Sequence, residues 1–230
     1  MTQYAELPPP AMLFDLDGTL IDSVYQHVIA WRTALGRVGI DLSVWRIHRR
    51  IGMSGGLFVS ALQREMGLRL TPEEIIELQD LHAAEFNQQS DSIRPLPGAI
   101  ELLRSLTEWK IPWAIATSGS IKTAGPTLEM LRVPEGVPII TRDRVRHAKP
   151  DPDLFLAAAE ALGVDPRHAM VVGDSVWDLL AARRAGALGI GLQSGGYGRE
   201  ELERAGAYRV YADPADLLLR VDEIGLRPPI

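Results

Sequence analysis

The 230-residue chain has no cysteine and carries 24 Lys and Arg against 30 Asp and Glu, a net charge of −6. That balance excludes disulfides and thiolate metal sites and offers no basic field for nucleic acid or an anionic membrane. With 46% hydrophobic and 23% charged residues the composition is that of a soluble globular protein, long enough for one large domain or a domain carrying an insertion.

In chain order, the first ten residues contain Glu6 and three prolines where a secretory signal needs a basic start and an apolar stretch. No later run approaches the roughly 18 apolar residues of a membrane span. The expected location is therefore the cytoplasm. Ala11-Met12-Leu13-Phe14 reads as a buried strand that ends in Asp15 and Asp17, followed by Gly18. A strand points alternate residues the same way, so the two carboxylates repel unless a cation or a shared proton lies between them. Asp-Gly after a strand is also ordinary turn chemistry, and on its own this pair decides nothing.

After Ser23 the period becomes helical. Val24, His27, Val28, Trp31 and Leu35 share one face, which makes His27 and Trp31 packed side chains. A short helix after Ser43 carries Arg46, His48, Arg49 and Arg50, and a third runs from Leu57 to Met66 with Gly67 as its cap. Thr71-Pro72-Glu73-Glu74 has the pattern of a capping box, opening a helix to about Gln88. Residues 24–90 thus read as helices without a strand. Ile93-Arg94-Pro95-Leu96-Pro97-Gly98 is a natural boundary.

Beyond it, helix and strand alternate. Helices at 99–109, after Pro126, after Asp151-Pro152 and after Ser175 lead to strands at 112–116, 138–140, 169–172 and 188–192, and a last strand at 208–211 precedes a helix begun at Asp213-Pro214. The pattern predicts an α/β fold, a doubly wound parallel sheet with an inserted all-helical block. Gly195-Gly196-Tyr197-Gly198 lacks the spacing of a phosphate loop and reads as a flexible turn.

Three further strand ends carry polar groups: Thr117-Ser118-Gly119, Lys149 in Lys-Pro-Asp-Pro, and Gly173-Asp174 with Asp178 four residues on. Together with Asp15-Leu16-Asp17-Gly18-Thr19-Leu20-Ile21-Asp22-Ser23, they resemble, in order, the four motifs of the haloacid dehalogenase (HAD) superfamily of phosphohydrolases. The helical insertion resembles the cap of its phosphoglycolate phosphatase and β-phosphoglucomutase-like branch. This resemblance implies a HAD-like core at 1–22 and 94–230 and a cap at 23–93, with hinges near Asp22 to Val24 and Ile93 to Pro97.

It also implies roles. Asp15 would be the nucleophile, Asp17 the general acid and base, and Lys149 a fixed cation. Thr117, Ser118 and Gly119 would hold phosphoryl oxygens. Asp15, Asp174 and the backbone carbonyl of Asp17 would bind Mg2+, an ion that favours oxygen ligands, with Asp178 supporting the site from behind. Arg49 and Arg50 are candidates for anchoring substrate from the cap. The implied activity is a Mg2+-dependent phosphatase acting on a small phosphomonoester, phosphoglycolate- or sugar-phosphate-like. Asp17 argues against dehalogenation, which protonates no alkoxide. A phosphosugar mutase and a silent phospho-ligand binding module are the alternatives, and the oligomeric state is left open.

Overall fold

The computed structural model describes residues 10–227, so what was expected of residues 1–9 lies outside the described residues. The chain runs β1 (Ala11–Phe14), β2 (Ile21–Asp22), then four helices: α1 (Val24–Arg37), α2 (Val44–His48), α3 (Gly55–Met66) and α4 (Pro72–Asn87). A short strand β3 (Arg94–Pro95) leads to α5 (Ala99–Glu108), β4 (Trp113–Ala116), α6 (Ile121–Met130) and β5 (Ile139–Ile140). The remainder is α7 (Asp153–Leu162), β6 (Ala169–Gly173), α8 (Val176–Ala185), β7 (Leu188–Leu192), α9 (Arg199–Ala205), β8 (Ala207–Tyr211) and α10 (Pro214–Leu219).

Six strands form one parallel sheet in the order β5-β4-β1-β6-β7-β8. Strands β1, β4 and β6 are buried at every position, as a sheet covered on both faces requires. Alternate residues of β1 serve different layers. Met12 and Phe14 join one apolar cluster with Leu102, Ile115 and Val172, while Ala11 and Leu13 join another with Phe155, Val171 and Ala181. Strand order reverses at β1, with β4 on one side and β6 on the other, so a crevice opens beyond their carboxyl ends.

The four helices between β2 and β3 hold their own cluster, with Trp31, Leu35, Phe58, Leu62 and Leu78 at its centre. The two passages between this block and the sheet are tied to each other: Ile21 pairs with Pro95 and Asp22 with Arg94 in an antiparallel ribbon. The sequence pattern gave no sign of that ribbon, since two residues a side have no period.

Two helices depart from expectation. The helix expected to start after Pro126 begins five residues earlier, at Ile121, and contains the proline. Proline has no N–H for the carbonyl four residues back, and Asn87 Nδ2 at the end of α4 donates to that carbonyl, Lys122 O, at 3.4 Å. Helix α9 was not expected at all. Only Leu202 of its seven residues is buried, so it shows no apolar face. No helix among the described residues is long and apolar enough to cross a membrane.

Candidate active site

Asp15 is the first residue past β1, and its N–H donates to Val172 O at 2.9 Å, which fixes it against β6. Its Oδ1 pairs with Lys149 Nζ. Lys149 is fully buried and also reaches Asp178 Oδ1 at 2.7 Å. Burial pushes the lysine down, but the two carboxylates outweigh it and raise Lys149 above its ordinary value, so it is a fixed cation. Asp178 has both oxygens engaged. Its Oδ2 accepts from Ser175 N at 3.1 Å and Ser175 Oγ at 2.5 Å, closing a capping box at the start of α8.

Asp174 follows β6 and accepts from Thr19 Oγ1 at 2.9 Å. Gly18, at φ 81°, passes so close that any side chain there would strike the Asp174 carboxylate. Gly195 presses on the same carboxylate, and a Cβ there would overlap it. The stretch expected as a flexible turn is thus a packed one. It is pinned by Ser194 Oγ donating to Gly18 O at 2.6 Å and by His48 Nε2 lying 2.8 Å from Gly195 O.

Asp15, Asp174 and Asp178 bring carboxylate oxygens within 4.8 Å of one another. Burial, opposed by Lys149 and reinforced by Asp178 and Asp17, raises Asp15 to about 7. Burial with Asp178 and Asp15 pushes Asp174 well above the carboxylate range. Carboxylates that resist ionisation together need a proton or a cation, and an all-oxygen cluster suits a hard divalent ion.

Asp17 stands apart from this cluster. Its Oδ1 accepts from Ser23 Oγ at 2.7 Å and lies 3.2 Å from His27 Nε2. Burial pushes the Asp17 carboxyl up, but His27, the Ser23 hydroxyl and Lys149 outweigh it and hold the group below the usual range. His27 Nδ1 in turn lies 3.1 Å from His82 Nε2 on α4.

A cavity of about 390 Å3 opens over these groups, of the size that holds a small metabolite. Its floor is Asp15, Asp17, Thr117, Ser118 and Gly119, and its roof is Trp31, Met53, Gly55, Gly56, Gln79 and His82. Thr117 Oγ1 accepts from Gly119 N at 2.9 Å, while the buried Ser118 Oγ has no partner among the described residues. Arg50 lines the cavity but is paired with Glu65 and donates to Arg46 O at 2.6 Å.

Arg49, the other expected anchor, lies outside the cavity lining. Its guanidinium pairs with Glu201 Oε1 at 2.6 Å and stacks on Tyr197 at 4.2 Å, while its carbonyl accepts from Trp177 Nε1 and Tyr197 OH. It clasps the helical block to the sheet domain. Sequence reasoning passed over Arg142, which lines the cavity from the loop after β5 with its N–H on Gly119 O at 3.0 Å. It also passed over His82, which the helical pattern gave no reason to single out.

A buried lysine and convergent carboxylates at the switch point of a doubly wound sheet, roofed by a helical block, define an α/β enzyme with a capped site. The haloacid dehalogenase-like hydrolase family matches residues 9–186, and the chain belongs to it. It is 34% identical over 176 residues to hexitol phosphatase A of Escherichia coli, covering 76% of this chain and 78% of that one. Identity to phosphoglycolate phosphatase of Rhodospirillum rubrum is 30%, over 91% and 89% of the two chains. The crystal structure of a hydrolase from Pseudomonas syringae superposes with a TM-score of 0.91 at 52% identity, covering 94% of this chain and 99% of that one. The protein is a phosphatase of this family.

Proposed function

We propose that the protein hydrolyses a small sugar- or polyol-phosphate monoester, with Mg2+, through a phosphorylated Asp15. The observation that carries the reading is the pairing of Asp15 with a buried lysine at the cavity floor. Lys149 takes Oδ1 and leaves the second oxygen for attack on phosphorus. As the Asp15 oxygen bonds to phosphorus, the ester P–O bond breaks and Asp17 gives its proton to the departing oxygen. Asp17 then takes a proton from water, which attacks phosphorus and releases phosphate from Asp15. The arriving phosphate raises Asp17 by like charge, so the group loads its proton with substrate.

Asp15, Asp174 and the Asp17 carbonyl would hold the Mg2+, and Asp178, spent on Lys149 and Ser175, would position rather than bind. When bound, the ion would supply positive charge against the phosphoryl oxygens. Thr117, Ser118 and Gly119 would receive those oxygens, and the unpartnered Ser118 hydroxyl supports this. The named phosphatase relatives favour water over a second sugar hydroxyl as acceptor.

The test is phosphate release from a panel of hexitol, hexose and glycolate phosphates with Mg2+ or EDTA, for wild type and Asp15→Asn. Release that needs the metal and falls by at least about 10³-fold in the variant is expected for loss of a nucleophile. Isomer formed in excess of free phosphate would replace hydrolase by mutase.

A further inference from the structure

Asp17 is the one floor carboxylate held from the helical block rather than from the sheet. His27 of α1 reaches it at 3.2 Å, and behind His27 stands His82 of α4, ring nitrogen to ring nitrogen at 3.1 Å. The two imidazoles are tightly placed. The His27 ring lies flat on Phe86, centroids 3.9 Å apart and 5° from parallel, and the His82 ring stacks on Trp31 at 4.2 Å and 16°.

Hydrogen-bond roles along this chain are constrained. A carboxylate only accepts, so His27 Nε2 must carry a proton. The facing atoms, His27 Nδ1 and His82 Nε2, share one hydrogen bond at 3.1 Å. Burial keeps His82 itself uncharged, well below its ordinary value.

We infer that His82 is a positioning residue: through the hydrogen bond between its Nε2 and His27 Nδ1 it fixes the ring angle with which His27 holds Asp17 ready to protonate the leaving group. His82 touches no reacting atom in this role. It acts through His27, and without it His27 Nδ1 is left unpaired against Phe86 and free to rotate away from Asp17. The inference rests on the acid role proposed for Asp17.

The experiment compares two esters that differ in their need for a proton. Release of an alkoxide from a hexitol phosphate requires the acid, whereas p-nitrophenolate leaves without one. The quantity read is kcat/KM, which reports the step that expels the leaving group. His82→Phe, which keeps an aromatic ring against Trp31, should lower kcat/KM for the hexitol phosphate by about tenfold or more, part of the factor a general acid supplies, while p-nitrophenyl phosphate changes less than about twofold. His82→Gln, whose amide nitrogen reaches the Nε2 position, should restore most of the loss, and His82→Asn, whose amide stops near Nδ1, should not.

Equal losses on both esters, or none on either, would overturn the inference. If His82→Phe fails to fold, the Gln and Asn variants decide alone, and equal behaviour of that pair overturns it as well. Asp17→Asn on the same two esters separates the failures. Selective loss there without selective loss at His82 removes only the role of His82, whereas unselective loss there removes the acid role of Asp17.

Discussion

At the scale of single residues, the site is an excess of negative charge waiting for compensation. Lys149 neutralises part of it, yet Asp15 remains raised to about 7 from 3.8. Below about pH 4 the folded and unfolded chains both hold this proton; between there and 7 only the folded chain does. The native state thus binds more protons across that window, and this carboxyl's contribution to stability falls as the pH rises through it. A divalent ion competes with that proton, so Mg2+ should raise the thermal midpoint more at about pH 8 than at about pH 5.5. A shift of equal size at both, followed by calorimetry, would contradict the assignment of the ion to Asp15 and Asp174. The residues that make this cluster were legible because each belongs to a patterned string, with Asp15 and Asp174 directly past the ends of β1 and β6. His82 and Arg142 were not, because a helical histidine or a loop arginine acquires meaning only from what the fold sets beside it. His27 is a middle case: its packing followed from its period, and its bond to Asp17 did not.

At the scale of elements, the segment of residues 193–196 shows how a turn can be part of a site. It backs the Asp174 carboxylate while receiving His48 from α2, so it touches the acid cluster and the helical block at once. Gly195→Ala would force its new methyl into Asp174, and the expected outcome is loss of metal-dependent phosphate release together with loss of the Mg2+ thermal shift. Retention of both, measured on purified folded protein, would mean the segment yields freely. Glycine clusters in loops carry no mark of what they press against, which is why the sequence suggested flexibility here. Pro126 misled in the opposite sense. It reads as a helix start, yet it lies inside α6, where the carbamoyl of Asn87, brought from α4, donates to the Lys122 carbonyl that the proline leaves without its helical partner. Short elements such as β2, β3 and α9 escaped for want of length, whereas α4 announced itself through Thr71 and Glu74, which bond each other's backbone as the pattern predicts.

At the scale of the whole molecule, the smaller apolar core of the helical block and the larger one packed on both faces of the sheet are joined by the β2–β3 ribbon, the Arg49 clasp and the histidine chain. The smaller core should yield first. Phe58→Ala, at a position wholly inside it, is expected to cost about 3–5 kcal/mol locally, and hydrogen exchange should rise across residues 24–92 while β1, β4 and β6 stay protected. Uniform exchange throughout would show instead that the molecule melts as one unit. The alternation of helix and strand carried the larger core into view from the sequence, because a parallel sheet needs long buried runs. How the helical block leans on it could not be read, since those contacts join residues far apart in the chain through side chains that have no period.

One arrangement sets the routes by which such an enzyme can fall silent in descent. Asp178 caps α8 through one oxygen and steadies Lys149 through the other, so its loss unseats a helix start and leaves the buried cation leaning on Asp15 alone. Replacing Asp15 by an amide removes a charge that the cluster already resists and leaves the architecture standing. A lineage drifting from catalysis toward mere binding would shed the nucleophile early and keep the acid behind it, so a descendant with Asp178 intact can be a sound fold and still a dead enzyme.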